Sequence, residues 1–600
     1  MRPARRISRR AFLRGAAAAG VGGALVVAGC ADPRGKGRAT PTAAPSPSPV
    51  PASVTRGGIL RIYSYDALIA DSLDPHLTRG GPIANVHSAV FSRLLRYADP
   101  TAGDITSDLA ADMPEQPDEL TYIVRLRGGV RFHDTPASRL AYPAAAGRKL
   151  GPSDVQHSLE RQASPAQPFQ RRSQFAVIDR VKAAGADAVT ITLKRPVAPF
   201  LSIMAGRHAF IIPREVALSD ANNAAALTGT GPFVLDAWEP GVAVRIRRNA
   251  DWFAAGDGGE GAFRPFIDGV DAHLSPESDP LQRAALERKL IDATEFTETA
   301  TVEHVIATTL EDVALEEREP GGMLSLRLLT DRPPFSDSRA RRAVHLAIDR
   351  TQLGDLLYPS LHGEPSYRLS GPVPPAIERW AIDPADLAAL PGYRSERELR
   401  DRDRAEARQL WAAAASQTPV FGIAMLVAGT PVVIARKAAP AIQRMLRETL
   451  GVETVVTVDP SGDAVVAAAL RRNAAGATEG TAMCTLAFED GGIDIDDCVY
   501  QFRSGEPANS YRLQDAALDA QIDAQRAEFD PDARLRKALG IQEYLLANVN
   551  ARLDLVAPIR RRLRWGYVRH AALSVWHGHE ESLADVWLDH GHEAWAARPA

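Results

Sequence analysis

Residues 120–134 read LTYIVRLRGGVRFHD, and residues 150–161 read LGPSDVQHSLER. From Leu120 to Arg127 apolar and polar side chains alternate, the period of a half-buried strand, and Gly128-Gly129 breaks it. Val130 to Phe132 is a second short apolar stretch, ending in the turn-like His133-Asp134. Pro152 and Ser153 then open a helix carrying Val155, Ser158, Leu159 and Arg161, because proline in the first turn gives up no intrahelical hydrogen bond. Strand, break and capped helix in this order predict an α/β chain.

The same reading extends outward. Gly57 to Tyr63 predicts a first strand, Ser72-Leu73-Asp74-Pro75 a turn, and Ala84 to Tyr97 a helix. Phe233–Trp238 and Val242–Arg248 alternate as two strands around Glu239-Pro240-Gly241, where proline presets φ and glycine supplies a positive one. Asp337 is a natural N-cap for a helix whose apolar face is Ala340, Val344, Ala347 and Ile348. From Pro431 to Leu450 an apolar stripe (Ile434, Ala438, Ala441, Ile442, Met445) predicts a helix ended by Gly451, with a strand at Val452 to Val458. Asp530-Pro531 opens a late helix with Leu535, Leu539 and Leu546 on one face.

These blocks, taken together, resemble the family 5 extracellular solute-binding proteins of ABC importers, the dipeptide, oligopeptide and nickel-binding group. The resemblance is carried by 120–134 with 150–161, by Gly229-Thr230-Gly231-Pro232-Phe233 leading to Trp238 and to Arg248-Asn249-Ala250-Asp251-Trp252-Phe253, by RPFIDGV at 264–270, and by Pro334-Phe335-Ser336-Asp337 running to Ala347-Ile348-Asp349-Arg350. It implies a two-lobed periplasmic-binding-protein-like α/β fold with an extra subdomain and a ligand cleft between the lobes. Carried over, 57–97, 213–321 and 564–600 form lobe I, 98–212 its subdomain and 322–563 lobe II, with crossover strands near Leu324 and Leu563. It also implies an ABC importer permease as partner, and places His133 in a hydrogen-bonded turn rather than in a metal or acid/base pair.

The N-terminus sets location. Ser8-Arg9-Arg10-Ala11-Phe12-Leu13-Arg14 and the uncharged Gly15–Gly29 run read as a twin-arginine export signal (1–29), and Val27-Ala28-Gly29-Cys30 resembles a lipobox that makes Cys30 the acylated first residue of the mature chain. The apolar run is short of the roughly 20 residues a membrane span needs. Residues 30–56 are rich in Pro, Ser and Ala and predict a tether, placing a monomeric receptor on the outer face of the cytoplasmic membrane. The signal holds six arginines and no acids, so its removal takes the formal charge from -4 to about -10 and excludes a basic nucleic-acid face. Cys484 and Cys498 are then the remaining cysteines, and spacing leaves a disulfide and two separate thiols equally open.

No G-x-S-x-G, P-loop, H-E-x-x-H or C-x-x-C occurs, so an enzyme would need a non-local active site; a secreted hydrolase of that kind is the alternative of another class. No cofactor is implied. Peptide-binding members hold the α-ammonium with an aspartate in a motif resembling W.ADYPDP, and counting back from Phe502-Arg503-Ser504 places it at Asp490. Here Ala487-Phe488-Glu489 stand where the tryptophan would be, and the prolines are missing. Arg436 and Arg368 are candidates for the ligand carboxylate. Glu489, Asp490, Asp494, Asp496 and Asp497 otherwise read as a solvated acidic loop or a calcium-binding one, though their spacing lacks the D-x-D-x-D-G order. His577-Gly578-His579 and His590-Gly591-His592 place paired imidazoles on one face and are candidates for a metal, the nickel or metal-chelate alternative.

Overall fold

Thr121–Arg125 forms the strand its alternation predicts, and Pro152–Ala163 the helix. Asp154 at the third helical position accepts from the Gly151 backbone N–H, an N-terminal lock that explains why the helix begins where Gly-Pro-Ser stands. These belong to a computed structural model that describes residues 54–64, 73–78, 83–99, 103–164, 169, 171–216, 227–239, 242–256, 263–274, 279–296, 299–308, 312–417, 422–428, 434–459, 483–570 and 581–599. The signal, Cys30, the tether up to residue 53, His577 and His579 lie outside them.

Three sheets organise the described residues. The first has seven strands in the order 313–318, 560–565, 293–295, 59–64, 269–274, 243–248, 233–239. The predicted hairpin is its far edge, with a register shift between Leu235 and Ala237. The second has five strands, 454–459, 423–428, 484–490, 322–328 and 552–554. The third has three, with Ala188–Leu193 between Thr121–Arg125 and Ile178–Ala183.

The chain passes from the first sheet to the second between Arg318 and Gly322 and returns between Asp554 and Arg560, by way of Val556–Pro558, which pairs with Tyr367–Leu369. Leu324 pairs with Phe488 in the second sheet, whereas Leu563 pairs with Thr294 and Leu315 inside the first. Two short crossings joining two separately cored sheets are what an interlobe hinge requires. The five-stranded sheet is covered by the helices Ser338–Ala347, Arg397–Ala415 and Ala439–Leu450 around Leu324, Leu326, Val344, Trp411 and Ile442. The seven-stranded sheet has its own core around Leu60, Phe233, Ile267, Leu286 and Trp565. The three-stranded sheet packs into a core continuous with residues of the C-terminal half, including Trp380, Ile493, Phe502 and Ile541.

Asp337 caps its helix as read, its side chain accepting from Arg339 N. Three local expectations change. The helix expected over Ala84–Tyr97 covers only Ile83–Val90, and Leu95–Asp99 is a strand paired with Asp104–Ser107. The backbone of Val90 is claimed by a long-range contact instead: Gly231 N donates to Val90 O at 2.8 Å, and a Cβ on Gly229 would fall 2.0 Å from that oxygen. The late helix Pro531–Tyr544 buries Arg534, Ala538 and Ile541; of the expected leucine stripe Leu546 is buried in the turn that follows it, while Leu535 and Leu539 are only partly covered. Ile434–Ala438 is a π-turn ahead of the helix Ala439–Leu450, where Pro440 has no N–H to continue a regular ladder backward.

Candidate functional site

The acidic stretch after the strand Cys484–Asp490 reads as a solvated loop, but it is largely buried and each described carboxylate meets an arginine. Glu489 pairs with Arg327. Asp494 caps the helix Ile495–Val499 by accepting from Asp496 N at 2.8 Å and also binds Arg534. Asp496 pairs with Arg526 at 2.9 Å and accepts from Gln525 Nε2 at 3.1 Å. Asp497 pairs with Arg171 at 2.8 Å. A buried carboxylate needs such a partner, since an unpaired one costs several kcal/mol.

The last pair is the one that spans the two parts of the molecule. Arg171 immediately precedes the short helix Arg172–Phe175 in the three-stranded subdomain, whereas Asp497 belongs to the C-terminal half. Its guanidinium also lies over the Tyr500 ring at 4.6 Å. Burial opposes the Arg171 charge, but Tyr500, Asp497 and Asp496 outweigh it and hold its pKa up. Gln174 Nε2 reaches the same two acids, 3.3 Å from Asp496 and 3.2 Å from Asp497.

These groups frame a small cavity of about 30 Å³. From the subdomain side come Tyr97, Arg171, Gln174, Arg207 and His208; from the other side come Gly491, Gly492, Ile493 and Asp497. Arginines, an amide, an imidazole and a carboxylate around a small apolar floor suit a polar solute bearing both donors and acceptors. The paired glycines serve packing: a Cβ on Gly491 would lie 2.2 Å from Pro374 Cγ, and one on Gly492 2.0 Å from Asp497 Cβ. Gly492 is thus what lets the Asp497 side chain fold back over the loop.

Asp490 ends its strand opposite Gly322, directly before the cavity-lining glycines; its side chain is outside the described ones. Arg368 and Arg436 do not line the cavity. Arg368 pairs with Glu319 at 2.8 Å on the crossing between the sheets, half-exposed, and Arg436 is exposed in the π-turn. Arg171 and Arg207, which do line it, carried no sequence signal: they precede the acidic loop by some three hundred residues and no motif contains them.

His133 is the hydrogen-bonded turn histidine expected. Its Nε2 lies 3.0 Å from Gly231 O, and burial lowers its pKa to about 4. Asp134 instead holds Arg139. His590 stacks on Trp595 with centroids 4.3 Å apart, while His592 Nδ1 accepts from Ala594 N as a helix cap. No group of three His, Cys, Asp or Glu able to hold a metal occurs among the described residues. Cys484 and Cys498 are separate, buried free thiols; burial raises both, Cys498 to about 12.

The sequence pattern described as bacterial extracellular solute-binding proteins, family 5 (middle) matches residues 104–484. Among curated proteins, the chain is 28% identical over 289 residues to the probable di/tripeptide-binding protein 5 of Pseudomonas aeruginosa, covering 44% of this chain and 50% of that one. It is 25% identical over 292 residues to the glutathione-binding protein GsiB of Escherichia coli K12, covering 47% and 51%. The match therefore spans about half the length of these relatives. Among solved structures, Helicobacter pylori DppA in complex with the peptide STSA superposes with a TM-score of 0.72 at 20% identity, over 89% of this chain and 99% of that one. Campylobacter jejuni NikZ in complex with Ni(L-His) gives 0.68 at 17% identity, over 88% and 99%. These likenesses carry the two-lobed α/β fold.

Proposed function

The chain belongs to the bacterial extracellular solute-binding proteins of family 5, and on that premise we propose that it is a lipid-anchored receptor that closes over a short peptide and delivers it to an ABC importer. Members of this family are solute-binding proteins rather than enzymes. The observation that carries the reading is the cavity closed by Arg171 and Asp497 from opposite sides. At about 30 Å³ it is some tenfold smaller than the roughly 300 Å³ at the low end of small-molecule sites. Capture of a peptide therefore separates Arg171 from Asp497 and moves the lobes about the crossings at 319–321 and 555–559. The peptide's carboxylate and its N–H groups supply the partners that Arg171 and Asp497 lose, so the desolvated charges stay paired on closure.

In this reading 57–97, 213–321 and 564–600 form lobe I, 98–212 its subdomain and 322–563 lobe II, and Asp490, beside the cavity glycines, is the anchor for the peptide ammonium. Acylated Cys30 holds the receptor at the outer face of the cytoplasmic membrane, with residues 31–56 as tether. The permease of the importer is its partner. Titration calorimetry of the detergent-solubilised protein against short peptides and their N-acetylated forms tests it. Free-amino peptides bind, acetylation weakens them, and Asp490→Asn removes the difference. Binding of nickel or a nickel chelate with no peptide binding, lost on mutating His577, His579, His590 and His592 together, would replace the peptide reading by the metal one.

A further inference from the structure

His208 lines the interlobe cavity and is only 7% exposed. Among the described residues its ring hydrogen-bonds the Pro75 carbonyl, and its Nδ1 is buried with no partner. Since Nδ1 is unused, the bond to Pro75 runs through Nε2; since a carbonyl only accepts, Nε2 carries the proton. The tautomer is therefore fixed, and Nδ1 offers a lone pair with nothing in the protein to fill it. Burial, then the charges of Arg171 and Arg207, hold the ring neutral by lowering its pKa well below 6.5. The carboxylate on this cavity, Asp497, already has Oδ1 occupied by Arg171 and Gln174. His87, His133 and His157 also carry an unpartnered ring nitrogen, but of the four only His208 lines the cavity, where a bound solute reaches it.

We infer that His208 is a ligand-contacting residue whose Nδ1 accepts a hydrogen bond from an N–H of the bound solute, an ammonium or an amide. The inference rests on the solute-receptor reading and deepens it by naming a specificity determinant. Neighbouring His76 differs: its Nε2 lies 2.8 Å from Phe210 O and its Nδ1 2.7 Å from Arg161, so both nitrogens are satisfied inside the protein. A solute presenting only acceptors leaves Nδ1 of His208 unpaired and is discriminated against, since a buried polar group without its partner costs more than the bond itself contributes.

The test uses the full-length protein in detergent micelles and single peptides fractionated from a casein digest, with calorimetric binding as the readout. His208→Gln places its amide near Nε2, retains a donor for Pro75 and loses the Nδ1 acceptor; His208→Asn restores an oxygen near the Nδ1 position. For a peptide bound by the wild type, Gln weakens affinity about tenfold or more and Asn recovers most of it, as expected for a hydrogen bond to a charged donor. In ¹⁵N spectra of the unmutated protein, the His208 Nδ1 resonance is that of an unprotonated nitrogen and shifts when the peptide saturates the site. Peptide binding unchanged within twofold in His208→Gln, or an Nδ1 resonance that does not move on saturation, overturns the role of His208 and leaves the receptor reading standing. Failure of every peptide to bind the wild type overturns both.

Discussion

Replacing Arg161 with methionine strips a buried carboxylate of its cation. Asp74 is fully buried; Arg161 Nη1 donates to its Oδ1 at 3.1 Å, Nη2 to its Oδ2, and the His76 backbone N–H to Oδ1 at 2.9 Å. Arg161 Nη1 also reaches His76 Nδ1 at 2.7 Å, so the substitution orphans two acceptors at once. In the wild type, burial pushes the Asp74 pKa up, but the Arg161 hydrogen bonds and the fields of His76 and Arg161 outweigh it and bring the pKa below 3.8. Without Arg161 its hydrogen bonds and its charge no longer oppose burial, so the Asp74 pKa rises and the folded variant favours the protonated carboxyl. Protonating an ordinary carboxylate at pH 7 costs about 4 kcal/mol, at about 1.4 kcal/mol per pH unit, which caps the loss within the range of about 3–5 kcal/mol for breaking a buried pair. At pH 5 the same protonation costs only about 1.6 kcal/mol.

The sign follows from linkage. The Asp74 contribution in the wild type is present above pH 3.8 and is lost as pH falls through the depressed folded value. In the variant the folded pKa is raised, so stability is lost as pH rises from about 4 to 7, and the gap between the two proteins widens with pH. Denaturant unfolding followed by tryptophan fluorescence at pH 5 and pH 7 measures it. The double variant Asp74→Asn with Arg161→Met has no lone carboxylate, and its gap to the wild type is nearly the same at both pH values. A loss below about 1 kcal/mol at pH 7, or an equal loss at both pH values in the single variant, would refute the reasoning.

Gly229→Ala drives a Cβ into the Val90 carbonyl at 2.0 Å, where backbone must move; a loss of several kcal/mol, or failure to accumulate folded protein, is expected from the melting temperature. Cys484 and Cys498 resist iodoacetamide in the native protein and both react, with no reductant added, once it is unfolded, as buried thiols with raised pKa values must; recovery of only one free thiol would contradict this. Arg171→Gln removes the cation that pairs with Asp497 across the cavity, and solution scattering should show a larger radius of gyration without peptide, returning on peptide addition; an unchanged radius counts against the pair as a closure contact. Cys30→Ser is expected to release the protein from the membrane fraction, and unchanged fractionation with no lipid mass would end the anchor proposal.

Local patterns were legible wherever a single element or turn sets them. The Pro152 helix start, the Asp337 and Asp530 caps and the 233–248 hairpin depend on neighbours within a few residues, and each is present. The order of such blocks along the chain was enough to imply the family, and with it two lobes and a cleft. The extent of the helix at Ile83–Val90 was not legible, because its end is decided by Gly231 donating to Val90 O from across the fold.

The site divides the same way. Counting back from Phe502-Arg503-Ser504 pointed to Asp490, which ends a strand directly before Gly491 and Gly492, and those two glycines line the cavity. It could not pair the acids. Asp497 is linearly remote from Arg171, Glu489 from Arg327, and Asp554, whose burial raises it to about 6, is held by Ser325 as well as by nearby Arg552. Charge pairing acts over a few ångströms whatever the separation along the chain, so which of the many arginines meets each acid is fixed only when the sheets and the subdomain pack. The sequence by itself determined the local caps and turns and the order of the family's blocks; tertiary structure alone decided where elements end and which side chains face one another.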